Sequence, residues 1–174
     1  MMENPAAYWY VARTRHGSEL GVRNRLSALG VEHFVPTRMR RASRGKAMVE
    51  EPLLSNLVFL RATKADALEL IHCRGIKADY LFDCATRQLM VVPDKQMTDF
   101  RRVFDLSTEE GGLVDVPLHA GERVRVTRGC LKGVEGYVIE LQGKTYVVVE
   151  LLNCLYARAR VPRAWLEKIE TDKS

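Results

Sequence analysis

The sequence lacks the features that mark several large classes of protein. Its 4 cysteines are far apart and include no CxxC pair, which disfavours both a zinc knuckle and a dithiol redox motif. We expect buried free thiols in a reducing cytoplasm. The longest apolar runs, such as residues 57–60, span only a handful of positions, whereas a membrane span needs about 20. Residues 1–5 do not begin a basic segment followed by an apolar one, so we expect no secretory signal and a cytoplasmic location.

Catalytic motifs are missing as well. The sequence contains no HExxH, GxSxG or GxGxxG, and its histidines have no i, i+4 pair, so neither a helical metal site nor a common nucleophile is indicated. The run Gly143-Lys144-Thr145 looks like the end of a phosphate-binding loop. However, Val138 stands where that loop needs glycine, and Lys144 is predicted to begin a strand. We predict no catalytic residue, no metal and no cofactor.

What the sequence does have is positive charge concentrated in its first part. The formal net charge is +5, and residues 1–106 contain 17 Lys and Arg against 12 Asp and Glu, whereas the remaining residues contain 10 of each sign. Within residues 13–46, nine basic residues face only Glu19 and Glu32. Such a stretch could follow a phosphate backbone, although a basic run is as often an ordinary solvated surface.

The pattern of residues 1–106 predicts strands that alternate with helices. Segment 8–14 is aromatic and β-branched, and further strands are expected at 31–37 and 57–61, with an exposed hairpin tip at 38–46. Ser18 and Thr63 are placed to cap helices, and Pro93 to begin a third. Their inner faces are predicted as Val22, Leu26 and Leu29; Leu68 and Ile71; and Met97, Phe100 and Phe104. This alternation indicates an α/β sandwich in which helices cover one sheet.

The rest of the chain follows a period of two. Residues 107–118 have no clear periodicity and indicate a linker between a domain at 1–106 and a second domain at 119–174. The second domain shows five short strands without a helical stretch, which predicts a small closed all-β barrel. We expect Gly129 and Gly136 to occupy tight turns with positive φ.

Two sets of motifs are more specific than composition. Trp9-Tyr10-Val11 with its following helix, then the run 52–60, then Val91-Val92-Pro93, resembles the N-terminal (NGN) domain of the NusG family of transcription elongation factors. The run 121–138 resembles the KOW motif that follows in that family. The resemblance covers nearly the whole chain. It implies an α+β NGN domain, a KOW barrel of the SH3-like type, and a protein that is not an enzyme.

Three features favour a specialised NusG-like paralogue, of the RfaH or UpxY type, over NusG itself. The strand after Glu51-Pro52-Leu53 resembles RfaH more closely, and Cys130-Leu131 stands where general factors usually have Pro-Phe. The basic segment 38–46 also fits such a paralogue. The resemblance then implies antitermination on particular long operons, and a housekeeping elongation factor is the alternative.

The resemblance also implies binding sites. An open apolar hollow would contact the clamp helices of the β′ subunit of bacterial RNA polymerase, and non-template DNA in the transcription bubble would meet a basic edge. The polymerase-binding residues would be Tyr10, Leu57, Phe59 and Met97, with Arg13 at the rim; the nucleic-acid-binding residues would be Arg15, His16, Arg23, Arg25 and Arg74. An aromatic residue inside such a strand is also a common core residue, so Phe59 has a purely structural alternative.

In the family, the KOW loop contacts a ribosomal small-subunit protein or the termination factor Rho. The equivalent apolar patch here is Leu131 with Val134. A leucine in place of phenylalanine buries less area, at about 25 cal/mol per Å², which argues against Rho. A ribosome-associated KOW protein that binds RNA is the remaining alternative.

Overall fold

The computed structural model describes residues 6–43, 45, 47–107, 113–114, 121–152 and 155–169. The chain divides into two compact units, Met1–Asp94 and Lys95–Ser174. The elements of the first unit are β1 (Tyr8–Thr14), α1 (Glu19–Ala28), β2 (Glu32–Phe34), β3 (Thr37–Arg41), β4 (Met48–Pro52), β5 (Leu57–Ala62), α2 (Lys64–His72), β6 (Ala78–Tyr80) and β7 (Val91–Val92).

One five-stranded sheet organises the first unit. Its order is β2-β5-β1-β6, with β7 also paired to β1, and every pair is antiparallel. Because β1 is central, both of its faces are buried along most of its length. The predicted mixture of strands and helices is confirmed, with an antiparallel sheet rather than a parallel one.

The helices of the first unit cover one face of that sheet. Thr63 caps α2 as predicted, since its Oγ1 accepts the Asp66 N–H at 3.2 Å. Ser18 stands at the N-cap of α1, but its side chain makes no capping bond. The predicted inner face of α2 is confirmed for Ile71, which packs against the core, and wrong for Leu68, which is 40% exposed; Ala67 and Leu70 are buried instead.

Strands β3 and β4 form a separate two-stranded antiparallel hairpin. It confirms a hairpin here, with its described turn residues between Arg41 and Met48. The predicted bounds are wrong, because residues 38–41 belong to a strand and not to the tip, and the strand expected at 31–37 is divided between β2 and β3. Arg44 and Lys46, at the predicted tip, lie outside the described residues.

The second unit contains one helix and a β-sheet. Its elements are α3 (Asp94–Ser107), which begins at the last residue of the first unit, β8 (Leu113–Val114), β9 (Arg123–Val126), β10 (Glu135–Leu141), β11 (Lys144–Leu151), β12 (Leu155–Arg160), a 3₁₀ turn (Arg163–Trp165) and β13 (Leu166–Lys168). The strands pair in the order β13-β9-β10-β11-β12-β8. No pairing joins β13 to β8 among the described residues, so a closed barrel stays a prediction.

Two glycines of the second unit meet different constraints. Gly129 has φ +77, and an added Cβ would lie 2.5 Å from the Trp165 ring. Gly136 lies inside β10, where a Cβ would come within 2.2 Å of the Val148 carbonyl oxygen. The expectation of positive φ is therefore confirmed for Gly129 and wrong for Gly136, which is needed for a close strand crossing.

Several smaller predictions can be compared with the structure. Lys144 begins β11 directly after the Gln142-Gly143 turn, which removes the phosphate-loop interpretation. The expectation of buried thiols is wrong for Cys73, Cys84 and Cys130, which are exposed, and Cys154 lies outside the described residues. Among the described residues, no helix is long and apolar enough to cross a membrane.

The predicted linker 107–118 lies mostly outside the described residues. The division into domains at 1–106 and 119–174 therefore stays a prediction, whereas α3 groups here with the C-terminal strands.

Candidate functional site

The register between β1 and β5 decides which predicted polymerase-binding residues share a face. Tyr10 lies opposite Leu60, whereas Arg13 lies opposite Leu57 and Val11 opposite Phe59. Side chains alternate between the faces of a sheet, so Tyr10 points away from the face that carries Arg13, Leu57 and Phe59. The structure brings three of the five predicted residues to one sheet face.

Tyr10 belongs to the core beneath the helices. Its ring lies 5.8 Å from that of Tyr80, and the Tyr80 hydroxyl donates to the Ala67 carbonyl at 2.7 Å. Burial raises the pKa of both Tyr10 and Tyr80. These contacts give Tyr10 a structural role within the first unit.

The remaining predicted polymerase-binding residues differ in exposure. Phe59 is 0% exposed and packs near Phe34, with 6.2 Å between ring centroids. Met97, on α3 of the second unit, is also 0% exposed, whereas Leu57 is half-buried and Arg13 is exposed. The expected open hollow is therefore wrong for this conformation, and the assignment of these residues to polymerase binding stays a prediction.

The basic residues after β1 lie on an accessible surface of the first unit. Arg13, Arg15 and Lys77 line a cleft of about 500 Å³, together with Asp79. Arg15 and His16 are exposed in the turn that follows β1. No ion pair is formed by Arg13, Arg15 or Lys77 within the part of the chain that the structure describes. This cleft can therefore offer cations to an anionic ligand.

Two further predicted arginines come together although they are far apart in sequence. The Arg25 guanidinium, on α1, donates to the carbonyl of Arg74, just beyond α2, at 3.5 Å. Arg74 also pairs with Glu69 at 2.9 Å, and both arginines are exposed. Both guanidinium groups remain accessible to phosphate or to an unstacked base, although that of Arg74 already has an acidic partner.

Arg23 is different from the other predicted nucleic-acid-binding residues. Its guanidinium binds both carboxylate oxygens of Glu50 on β4, and Thr37 donates to the same carboxylate at 2.8 Å. The hydrogen bonds from Arg23 and then Thr37 lower the pKa of Glu50, and the bond to Glu50 raises the pKa of Arg23. Arg23 therefore ties the hairpin to α1, and its donors are already occupied.

The predicted KOW partner residues are not an exposed patch. Leu131 is 3% exposed and Val134 is 0% exposed, so the expectation of an accessible apolar tip is wrong for this conformation. The turn that holds them contacts α3. Arg102 donates to the carbonyls of Cys130 at 2.6 Å and Lys132 at 3.0 Å, and Lys95 donates to that of Gly133 at 2.9 Å.

Asp99 completes this set of contacts, which we call the α3 clasp: Lys95, Asp99 and Arg102 with residues 130–135. Asp99 is 4% exposed, and it accepts the Glu135 N–H at 3.1 Å and pairs with Lys95. Sequence reasoning missed the clasp. The sequence does contain a pattern that could have indicated it, because positions 95, 99 and 102 follow i, i+4, i+7 spacing and so share one face of a helix.

The described surface does not offer a metal site. No group of three or more His, Cys, Asp or Glu side chains is placed to hold a metal ion among the described residues. Neither His33 nor His72 belongs to such a group. The His33 ring bonds the Val31 carbonyl at 2.8 Å, and His72 is exposed at the end of α2.

Comparison with known proteins gives one family match. Residues 7–101 match the family model described as NusG, transcription termination factor nusG. No match is found among the curated proteins.

Two solved structures are similar to the chain. One is described as "Domain interaction in Thermotoga maritima NusG", at 21% identity and TM-score 0.48, over 95% of this chain and 98% of that one. The other is a chain of the MjSpt4:Spt5 complex, at 13% identity and TM-score 0.28, over 92% and 97%. The family assignment rests on the match over residues 7–101.

Proposed function

The chain belongs to the NusG family, a family of transcription factors and not of enzymes, and we propose that it binds bacterial RNA polymerase and suppresses pausing or termination. The family match over residues 7–101 is the observation that carries this proposal. That range holds the whole sheet of the first unit and its exposed basic surface.

Polymerase binding would use the sheet face that carries Arg13, Leu57 and Phe59, with Met97, against the clamp helices of the β′ subunit. A protein that prefers the elongating form of polymerase shifts the population toward it, by no more than its difference in affinity for the two forms. Arg13 is already exposed, whereas Phe59 and Met97 are buried. Contact with the two buried side chains would therefore require a change of conformation.

Non-template DNA would bind the exposed basic groups of the first unit. Arg15 and His16 are exposed beside the cleft, and Arg25 and Arg74 lie together on the helical side. An arginine fork suits this role because it grips phosphate and also stacks on an unpaired base. Arg23 would contribute indirectly, through its bond to Glu50.

The paralogue type and the KOW partner are finer parts of the same proposal. We favour a specialised antiterminator of the RfaH or UpxY type, acting on particular long operons, over a housekeeping factor. A ribosomal small-subunit protein is the favoured partner of Leu131 and Val134, and Rho is disfavoured. Both side chains are buried and their turn is bound by Arg102, so the turn would have to separate from α3 before it could bind.

Reconstituted bacterial transcription tests the proposal directly. Purified full-length protein should shorten pause lifetimes on a template with a strong pause, and Arg15→Ala with Arg74→Ala should reduce the effect. Lys64→Ala is the matched control, because Lys64 is exposed elsewhere on the first unit. An unchanged pause lifetime at saturating protein would refute the proposal. Co-sedimentation with ribosomes in the absence of polymerase would instead support the alternative of a ribosome-associated RNA-binding protein.

A further inference from the structure

The hairpin of β3 and β4 carries positive charge on both of its faces. Arg38 lies opposite Glu51, Arg40 opposite Val49 and Arg41 opposite Met48. Because side chains alternate along a strand, Arg38 and Arg40 share one face and Arg41 lies on the other. All three arginines are exposed.

Large apolar side chains are also exposed on this hairpin. Met39 is 59% exposed, Met48 54% and Val49 51%. A two-stranded ribbon has no core of its own and is marginally stable in water. Exposed apolar groups of this size, set among charges, are typical of an interaction surface.

The acidic residues of the hairpin already bind side chains of the protein itself. Glu50 is bound by Arg23 and Thr37. Glu51 is shared by Arg38 at 3.5 Å and Arg40 at 3.6 Å. Arg41 forms no ion pair within the described residues. The hairpin therefore has positive charge left over on each face.

We propose that the hairpin of β3 and β4 binds double-stranded DNA by entering its major groove. The major groove of B-DNA is wide enough for a two-stranded ribbon and has phosphates along both sides. A ribbon with cations on both faces fits such a groove, whereas an acidic protein surface would meet the cations of one face only. The exposed methionines and Val49 can contact base edges and thymine methyl groups there.

The same geometry argues for DNA over double-stranded RNA, because the major groove of an A-form helix is too deep and narrow for side chains to read. The inference goes beyond the proposed function, which places the non-template single strand at Arg15, Arg25 and Arg74. It requires no polymerase, so it can fail or hold independently of that function.

The test is a salt titration of the full chain with a 20-base-pair DNA duplex, followed by fluorescence anisotropy. Each phosphate contact contributes about −0.9 to the slope of log affinity against log salt. The triple variant Arg38→Gln, Arg40→Gln, Arg41→Gln should make that slope shallower by roughly 2–3 and weaken binding at least tenfold. Its binding to a single strand should change little, and Arg25→Gln with Arg74→Gln should show the reverse pattern.

A gain of affinity provides the sharper check. Glu51→Gln removes the acid shared by Arg38 and Arg40, so duplex binding should become several-fold tighter at low salt. Weaker or unchanged binding by Glu51→Gln would overturn the proposal. Equal affinity for an RNA duplex would overturn groove entry, and a triple variant that loses polymerase binding while keeping duplex affinity would identify a protein partner instead. A circular dichroism spectrum and unfolding curve for each variant exclude loss of fold as the cause.

Discussion

The cleft of the first unit and the α3 clasp of the second use their cations in opposite ways. In the first unit, Arg13, Arg15 and Lys77 line a cleft without forming ion pairs in the described part of the chain. In the second unit, Arg102 and Lys95 donate hydrogen bonds to backbone carbonyls of the neighbouring turn. The first arrangement leaves charge available to a partner, and the second holds the protein's own turn in place.

The comparison shows that net charge alone does not locate a binding surface. Arg23 and Arg25 are two positions apart, yet Arg23 is bound to Glu50, whereas the side chain of Arg25 bonds only a backbone carbonyl among the described residues. What matters is how far the protein's own acceptors also bury each cation: the Arg23 side chain is 26% exposed, whereas that of Arg74 is 51% exposed despite its ion pair with Glu69.

The largest expected effect concerns the second unit. Asp99→Ala removes the buried carboxylate that accepts the Glu135 N–H, which should cost about 2 kcal/mol of unfolding free energy. The two tryptophans allow the units to be followed separately, since Trp9 lies in β1 and Trp165 beside the Gly129 turn. Urea unfolding of single-tryptophan variants should show the loss at Trp165 and little change at Trp9.

Thr98→Ala is the control for this experiment, because Thr98 is exposed on the same helix and its replacement should leave both transitions unchanged. An equal shift at both tryptophans would contradict the idea that the α3 clasp serves the second unit.

The next effect separates neighbouring arginines within the first unit. Arg25→Ala and Arg74→Ala should each make the salt slope of single-stranded DNA binding shallower by about 0.7. Arg23→Ala should leave that slope unchanged and lower the stability reported by Trp9, because it removes the tie between α1 and Glu50. The idea fails if Arg23→Ala changes the slope as much as the other two variants do.

The smallest effect is a pH dependence of the hairpin tie. Hydrogen bonds from Arg23 and then Thr37 lower the pKa of Glu50 below its ordinary 4.5 in the folded state. A carboxyl group whose pKa is lower in the folded state than in the unfolded state stabilises the fold at pH values above its unfolded pKa. That stabilisation is lost as the pH falls through its folded pKa. The loss of stability at Trp9 between pH 7 and pH 3 should therefore be smaller in Glu50→Gln than in the natural chain.

Glu135 provides the matched case in the second unit, since Arg125 lowers its pKa in the same direction. Glu135→Gln should reduce the acid-induced change at Trp165 and not that at Trp9. If both variants affected both tryptophans equally, the ion pairs would not be local to their units.

Local signals in the sequence were sufficient for many elements of the fold. The Thr63 cap, the hairpin after residue 37 and the period-two strands after residue 120 depend on neighbouring residues, and the structure confirms them. The inner face of α2 was wrong at Leu68 because Leu68 is more apolar than Ala67, although it is Ala67 that packs against the sheet. Hydrophobicity alone did not reveal which side of this short helix was buried.

The candidate site was harder to predict because it depends on long-range register. Placing Tyr10 and Phe59 on opposite faces requires the pairing of Val11 with Phe59, which joins residues 48 positions apart. Likewise, Leu131 is buried, and its turn is bound by Arg102 on a helix some thirty residues earlier in the chain. Neither the strand register nor the contact between the turn and α3 can be predicted from a local sequence pattern.

The central place of β1 also has a consequence for synthesis. One edge of β1 pairs with β5, where Tyr8 lies opposite Ala62. The other edge of β1 pairs with β6 and β7. A ribosome that adds about 5–20 residues per second releases this aromatic strand several seconds before its partners. Until residues 57–92 have been synthesised, both edges of this strand therefore stay unpaired, and unpaired strand edges are where another chain can add.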